Sequence, residues 1–362
     1  MLLIERSTHP EVPGPFFVIM FKMSSLPLVL AILASIFVLV KSADWVIDSI
    51  RNLGNSSGVS RFKMAVIFLG LATSLPELIL GIMSAASGVP TLSLGNVIGA
   101  NIADISLVLG AAGLFGGILY FHYAKDITKE ISFAFLVAVA PIILLWDRGL
   151  SRADGLILVG LYLFYVSGFL DKILGRSGGG KGSGRPGDRG FWRVLFGNIL
   201  SGNNGARKQL LKLALGAVVL GLSARLVVGF SQDLSQTFGV PLFLVGLLAL
   251  SIGTTLPELV VAYRAVKKKE DVSFLGNALG SVIANSTLII GIVVLISPLT
   301  IVARREYALS VLMLIVSFAL LWFFVRKERE LNRLEAGVLL LTYSVFVGLE
   351  LSGFNPLAFL LK

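Results

Sequence analysis

No cysteine occurs in the 362-residue chain, which excludes a disulfide framework, a thiolate metal site and a catalytic thiol. Histidine is nearly as scarce. His9 lies in a polar N-terminal stretch and His122 between two apolar segments, so a histidine-based zinc centre is not expected. Charge is scarce as well: 14% of residues are Asp, Glu, Lys or Arg, against about 25% in soluble domains. Apolar residues make up 56% of the chain, and the mean hydropathy is +0.89. An all-α, polytopic membrane protein is implied. At about 20 apolar residues per spanning helix plus short turns, the length accommodates about ten spans.

Apolar segments at 27–47, 63–87, 92–119, 131–146, 155–170, 210–230, 242–266, 274–299, 309–325 and 336–361 predict ten helices. Residues 1–26 hold a run too brief to cross a bilayer and read as an interfacial tail. Residues 172–208 include Arg176-Ser-Gly-Gly-Gly-Lys-Gly-Ser-Gly-Arg-Pro-Gly187, a flexible, basic linker between a first five-helix unit at 27–171 and a second at 209–362. Its Gly-Gly-Lys181-Gly run lacks the Ser or Thr that must follow the lysine of a phosphate loop.

The net charge of +10 would suggest nucleic acid in a soluble protein, but the positions of the charges argue otherwise. Arg51, Arg61 and Lys63, then Lys125 and Lys129, the linker, Arg264 and Lys267 to Lys269, and Arg326 to Arg333 all fall on one side when ten spans alternate. By the positive-inside rule that side is cytoplasmic, with both termini outside and no nucleic-acid partner.

Gly70-Leu-Ala-Thr-Ser-Leu-Pro-Glu77 recurs as Gly253-Thr-Thr-Leu-Pro-Glu258 at an offset of 258 − 77 = 181. The same offset pairs Asn96 with Asn277, Gly99 with Gly280, Gly110 with Gly291 and Asp44 with Arg225, without a gap. Each half is therefore one five-helix repeat. Five is odd, so the second repeat enters the membrane inverted, an arrangement that places a binding site near the midplane in secondary transporters.

Pro76 and Pro257 have no N–H and clash with the carbonyl four residues back, which predicts open helices near Ala72 and Gly253. In hydrocarbon the freed carbonyls must be satisfied by protein, water or an ion. Thr73, Ser74, Thr254 and Thr255 add hydroxyls there, and Glu77 and Glu258 add carboxylates within about a turn. Hard oxygen donors suit Ca2+, Na+ or Mg2+. The competing interpretation is two proline kinks with each Glu hydrogen-bonded. It must absorb about 2.5–3.5 kcal/mol for each buried acid. A second duplicated run, Gly95-Asn-Val-Ile-Gly-Ala-Asn-Ile-Ala-Asp104 and Gly276-Asn-Ala-Leu-Gly-Ser-Val-Ile-Ala-Asn285, supplies glycines for close helix packing, and Asp104 as a third acid with Asn285 at the matching place. One Ca2+ neutralises two of three carboxylates, and several monovalent cations neutralise the set in its absence. Mutually exclusive occupancy of that kind is the logic of an antiporter. A cation channel could use the same oxygens, but two inverted acids at one depth favour alternating access. An intramembrane hydrolase would need a nucleophile–base pair or an open metal position that the composition hardly supplies, so no enzymatic activity is expected.

The duplicated Ser/Thr-Leu-Pro-Glu and Gly-Asn-x-x-Gly runs resemble the α-repeats of the calcium:cation antiporter superfamily, nearest to its prokaryotic sodium/calcium exchangers, over nearly the whole chain. The resemblance implies Glu77 and Glu258 as central calcium ligands, backbone carbonyls from Thr73 and Thr254, and Ser74 and Thr255 in flanking monovalent sites. It also implies first and sixth helices that slide as a gating pair, with Ca2+ and Na+ or H+ as transported ions and no cofactor. Two departures stand out. Family members often carry Asn in the first repeat and Asp in the second where this chain has Asp104 and Asn285, and Ala100 replaces a common sodium-ligating Ser whose counterpart Ser281 is kept. Both lean toward protons as the driver, as in calcium/proton exchangers of the superfamily. Lys41 and Asp44 are placed to pair along the first helix, and Arg225 to snorkel.

Overall fold

Inside hydrocarbon each backbone N–H and C=O must find a partner within its own segment, so the apolar runs become helices. A computed structural model describes residues 25–54, 73–121, 127–147, 149–174, 204–267, 271–300 and 305–352. The expected interfacial tail as far as residue 24 and the Gly-rich core of the linker lie outside the described residues, as does Ala72, while Ser25 and Leu26 already belong to the first helix.

The first half contains α1 (Ser25–Gly54), α2 (Leu75–Ala86) and α3 (Pro90–Ile102), which continues through a π-helical segment, Ala103–Val108, into α4 (Leu109–Gly116). It ends with α5 (Ile127–Leu144) and α6 (Arg152–Leu174). The second half opens with α7 (Asn204–Phe238). A broken span follows: α8 (Leu242–Leu244), a π segment at Val245–Leu250, α9 (Ser251–Thr254) and α10 (Leu256–Lys267). Next, α11 (Asp271–Ala284) passes through a third π segment, Asn285–Ile289, into α12 (Ile290–Ile296). The described chain closes with α13 (Arg305–Glu328) and α14 (Arg333–Ser352). Among the described residues eight helices are long and apolar enough to cross a membrane. The other two expected spans are the one described from Leu75 onward and the 23-residue α6.

Position in the bundle follows burial. The span Pro90–Gly116 is 83% buried and its repeat partner Phe274–Ile296 is 72% buried, so these two form the centre, whereas α14 at 22% lies at the rim. Glycine permits the central contact. A Cβ on Gly95 or Gly99 would fall on the carbonyl oxygen of Phe243 or Leu247, and one on Gly246 on that of Leu92, so the two halves meet backbone to backbone.

Outside this core α1 and α7 pack along each other. Gly216 sits against Val46 and Trp45 at one end, and Ile32 and Ile36 cluster with Val227 and Val228 at the other, so the pair runs antiparallel. Leu30, Leu33 and Phe37 of α1 and Leu211, Leu215 and Leu222 of α7 remain exposed as a lipid-facing stripe. Lys41 Nζ lies 3.5 Å from Asp44 Oδ2, the pairing its helical spacing predicts, and Arg225 is exposed on α7.

Among the described residues four two-residue strands complete the fold: β1 (Leu119–Tyr120), β2 (Gly149–Leu150), β3 (Leu299–Thr300) and β4 (Glu330–Leu331). They pair antiparallel as β1 with β4 and β2 with β3, with Leu119 opposite Leu331 and Leu150 opposite Leu299. Under the repeat β1 corresponds to β3 and β2 to β4. Each half thus pairs its strands with the other half's.

Candidate functional site

The helix breaks sit at repeat-equivalent residues. Ser74 precedes α2, whose first turn holds Pro76, and Thr255 separates α9 from α10. In the second half the turn lies two residues beyond Gly253, the position expected from the sequence. Proline frees the carbonyl four residues back, but its fixed φ suits the first turn of a new helix, so the irregular residue falls just before that turn. The π segments are paired too. Asp104 is the second residue of one and Asn285 the first of another, and a π turn re-aims a side chain that a regular helix would carry elsewhere.

Every residue expected at the site is buried: Ser74, Glu77, Asp104, Thr254, Thr255, Glu258, Ser281 and Asn285 are at most 3% exposed, and Thr73 is at 8%. Hydrogen bonds join them across the two halves. Ser74 Oγ and Ser281 Oγ are 2.9 Å apart. The Thr254 hydroxyl lies 3.3 Å from Asn96 Oδ1 and near the Glu77 carboxyl, and the Ser281 hydroxyl lies near that of Asp104. Glu258 lies within electrostatic reach of both Glu77 and Asp104. Thr255 is held differently, its hydroxyl donating to the Ser251 carbonyl at 2.7 Å.

Unpartnered acceptors outnumber unpartnered donors at this centre, where the Asn96 amide nitrogen is also buried without a partner. Glu77 Oε2, Glu258 Oε2, Asp104 Oδ1, Asn277 Oδ1 and Asn285 Oδ1 are buried without a hydrogen-bond partner. An unpartnered buried acceptor costs about 1–3 kcal/mol, and more when charged. Oxygens of this kind, contributed by both halves, are the donor type that a hard cation takes. Among the described residues no three acidic or imidazole side chains converge closely enough to chelate one ion alone. A bound ion would therefore take further oxygens from hydroxyls, amides and carbonyls, which suits a hard cation.

Two polar residues of this centre escaped the sequence reading. Asn101 donates to Ser286 Oγ at 2.7 Å and accepts from Asn285 Nδ2 at 3.2 Å, so it fixes the amide opposite Asp104. Under the repeat Asn101 corresponds to Val282 and Ser286 to Ile105, so comparing the halves cannot find them. The usable signal was a buried-helix Asn three residues before Asp104.

The family profile described as "Sodium/calcium exchanger protein" matches residues 27–170 and 208–351, one stretch in each half. The chain belongs to the sodium/calcium exchanger family. Relatives include inner membrane protein YrbG of Escherichia coli (strain K12), 28% identical over 295 residues that cover 80% of this chain and 87% of YrbG. Sodium/calcium exchanger MaX1 of Methanosarcina acetivorans is 26% identical over 341 residues, covering 88% of this chain and 97% of MaX1. A solved structure of the sodium-calcium exchanger NCX_Mj, soaked with Na+ and Sr2+, superposes with a TM-score of 0.58 at 23% identity, covering 90% of this chain and 99% of NCX_Mj. That likeness establishes the exchanger fold for this chain, a multi-pass membrane fold built from two repeats.

Proposed function

We propose that this chain exchanges Ca2+ for monovalent cations across the membrane by alternating access, with protons as the favoured driver. The observation that carries the reading is the set of five donor-less oxygens on Glu77, Glu258, Asp104, Asn277 and Asn285, buried where the two inverted halves meet. Glu77 and Glu258 serve as the central calcium ligands, assisted by Thr73 and Thr254. Ser74, Thr255, Asp104, Ser281 and Asn285 serve the monovalent cations that displace calcium. MaX1, by its name a sodium/calcium exchanger, supports calcium as the divalent cargo.

Protons are favoured because Ala100, 2% exposed and the counterpart of Ser281, removes one hydroxyl from the set, while Asp104 adds a carboxylate that a proton can neutralise. The hydroxyl pair of Ser74 and Ser281 favours the second reading, sodium as driver. In either case α1 and α7 slide over the glycine-packed core to expose the site by turns. The charge asymmetry supports external termini and a cytoplasmic linker.

Reconstitution into liposomes tests this. Calcium uptake is measured under a pH gradient alone and under a sodium gradient alone, and uptake only under the first is expected. Uptake only under the second transfers the role to sodium, and calcium flux indifferent to any opposing gradient would leave a channel instead.

A further inference from the structure

Between α5 and α13, on the lipid-facing surface, runs an apolar groove of about 600 Å3 lined by Ile131 and Phe135 on one side and Ala319, Trp322 and Phe323 on the other. A surface groove at this depth is filled by hydrocarbon in a membrane. Ser132 also lines it, but its hydroxyl is committed to the Thr128 carbonyl at 2.8 Å, so the wall offers no free donor there. At one end the wall changes character. The Arg326 guanidinium stacks over the Trp322 ring, 4.7 Å from its centroid, and among the described residues it has no carboxylate partner. Lys327, its neighbour, is 3.2 Å from Glu328. We propose that this groove is a binding site for one anionic phospholipid, an acyl chain lying along Phe135 and Trp322 and the headgroup phosphate meeting Arg326.

The repeat supplies an internal control. α5 and α13 are the fourth helices of the two halves, so the two ends of this helix pair would be alike by symmetry alone. Arg326 and Lys327 correspond to Leu145 and Trp146 (326 − 181 = 145), so the end of α5 lacks the cations that close α13, although Arg305 stands at the start of α13 there. The end with Arg326 is where β1, just before α5, pairs with β4, just after α13. The charge asymmetry of the loops assigns it to the cytoplasm, the leaflet whose surface anionic lipids make negative. A basic residue in the last turn of α13 also suits the helix dipole, but the dipole selects no lipid, and the test turns on lipid selection.

The full chain, delipidated in mild detergent, is offered equimolar phosphatidylglycerol and phosphatidylcholine of equal chain length, and retained lipid is counted by native mass spectrometry. Phosphatidylcholine bears the same phosphate with a compensating cation. One basic residue near the headgroup should favour phosphatidylglycerol roughly fivefold. Arg326→Gln is expected to keep one lipid with the preference gone, and Arg326→Lys to keep the preference. Ala319→Phe, which fills the groove, is expected to lose both lipids; should it fail to fold, the two variants at exposed Arg326 still decide. Equal retention of the two lipids by the wild type overturns the proposal, as does a preference that survives in Arg326→Gln or a well-folded Ala319→Phe that retains lipid unchanged.

Discussion

Glu77 and Glu258 each engage the protein through part of the carboxyl and hold Oε2 without a donor, so the isosteric amide is a sharp probe of what that oxygen does. Glu77→Gln and Glu258→Gln remove a charge whose burial is costly while preserving shape, so thermal unfolding should stay at or above the wild-type temperature. Calcium-dependent exchange in proteoliposomes should fall to background in both. Wild-type exchange by either variant would remove that residue from the site. Asn101 makes the opposite case, a residue whose worth is structural. Its amide satisfies Ser286 and Asn285 together, so Asn101→Leu strands two buried polar groups and is expected to cost about 2–6 kcal/mol, at 1–3 for each. The check is thermal unfolding in detergent, compared with Asn101→Gln as the polar control.

The broken span of the second half joins two helical pieces through one proline-bearing turn, and the carbonyl left over belongs to the break. Pro257 has no N–H, so the Gly253 carbonyl four residues earlier lacks its intrahelical donor and can face a cation. Pro257→Ala supplies that donor. The mended helix should be equally or more stable, and the apparent calcium affinity in uptake assays should weaken on the order of tenfold, the worth of one hydrogen-bond-strength contact to a charged group. Unchanged affinity would show that this carbonyl is no ligand. At this scale much was legible beforehand. Runs of about 20 apolar residues can only be helices in a bilayer, and the two Leu-Pro-Glu turns advertise where two of them break. α7 nevertheless runs to Phe238, well past the apolar run that ends at Phe230, because outside the hydrocarbon a helix continues through Ser, Gln and Asp until Gly239, at φ 65°, ends it. The π turns at Asp104 and Asn285 were invisible, since a widened turn leaves no mark on composition or periodicity. β1 to β4 were equally hidden, two residues each being too short to show alternation.

At the scale of the whole molecule the question is which parts move. Inverted repeats invite the picture of one half rocking against the other. Here the halves are joined in two ways that oppose it. Gly95 and Gly99 press against the backbone of the Val245–Leu250 segment and its neighbour Phe243, and Gly246 presses back on Leu92. The exchanged strands then fasten each half to the other at both ends of the bundle. The pair proposed to shift, α1 and α7, meets the core through aliphatic clusters such as Leu39, Ala43 and Ala224 against Leu75 and Ile79. A covalent link between the halves across the strands should therefore be harmless. Tyr120 and Glu330 face each other in the β1–β4 ladder, where directly opposed Cβ atoms lie about 4.5–5.5 Å apart, close to what a disulfide spans. Because the chain has no native cysteine, Tyr120→Cys/Glu330→Cys gives a single oxidisable pair. Oxidation is expected to go to completion and to leave calcium exchange within about twofold of the reduced protein, since a link between parts that never separate adds little to the barrier. Exchange abolished on oxidation and restored by reductant would mean that the halves separate during transport, and the moving boundary would then lie between the repeats.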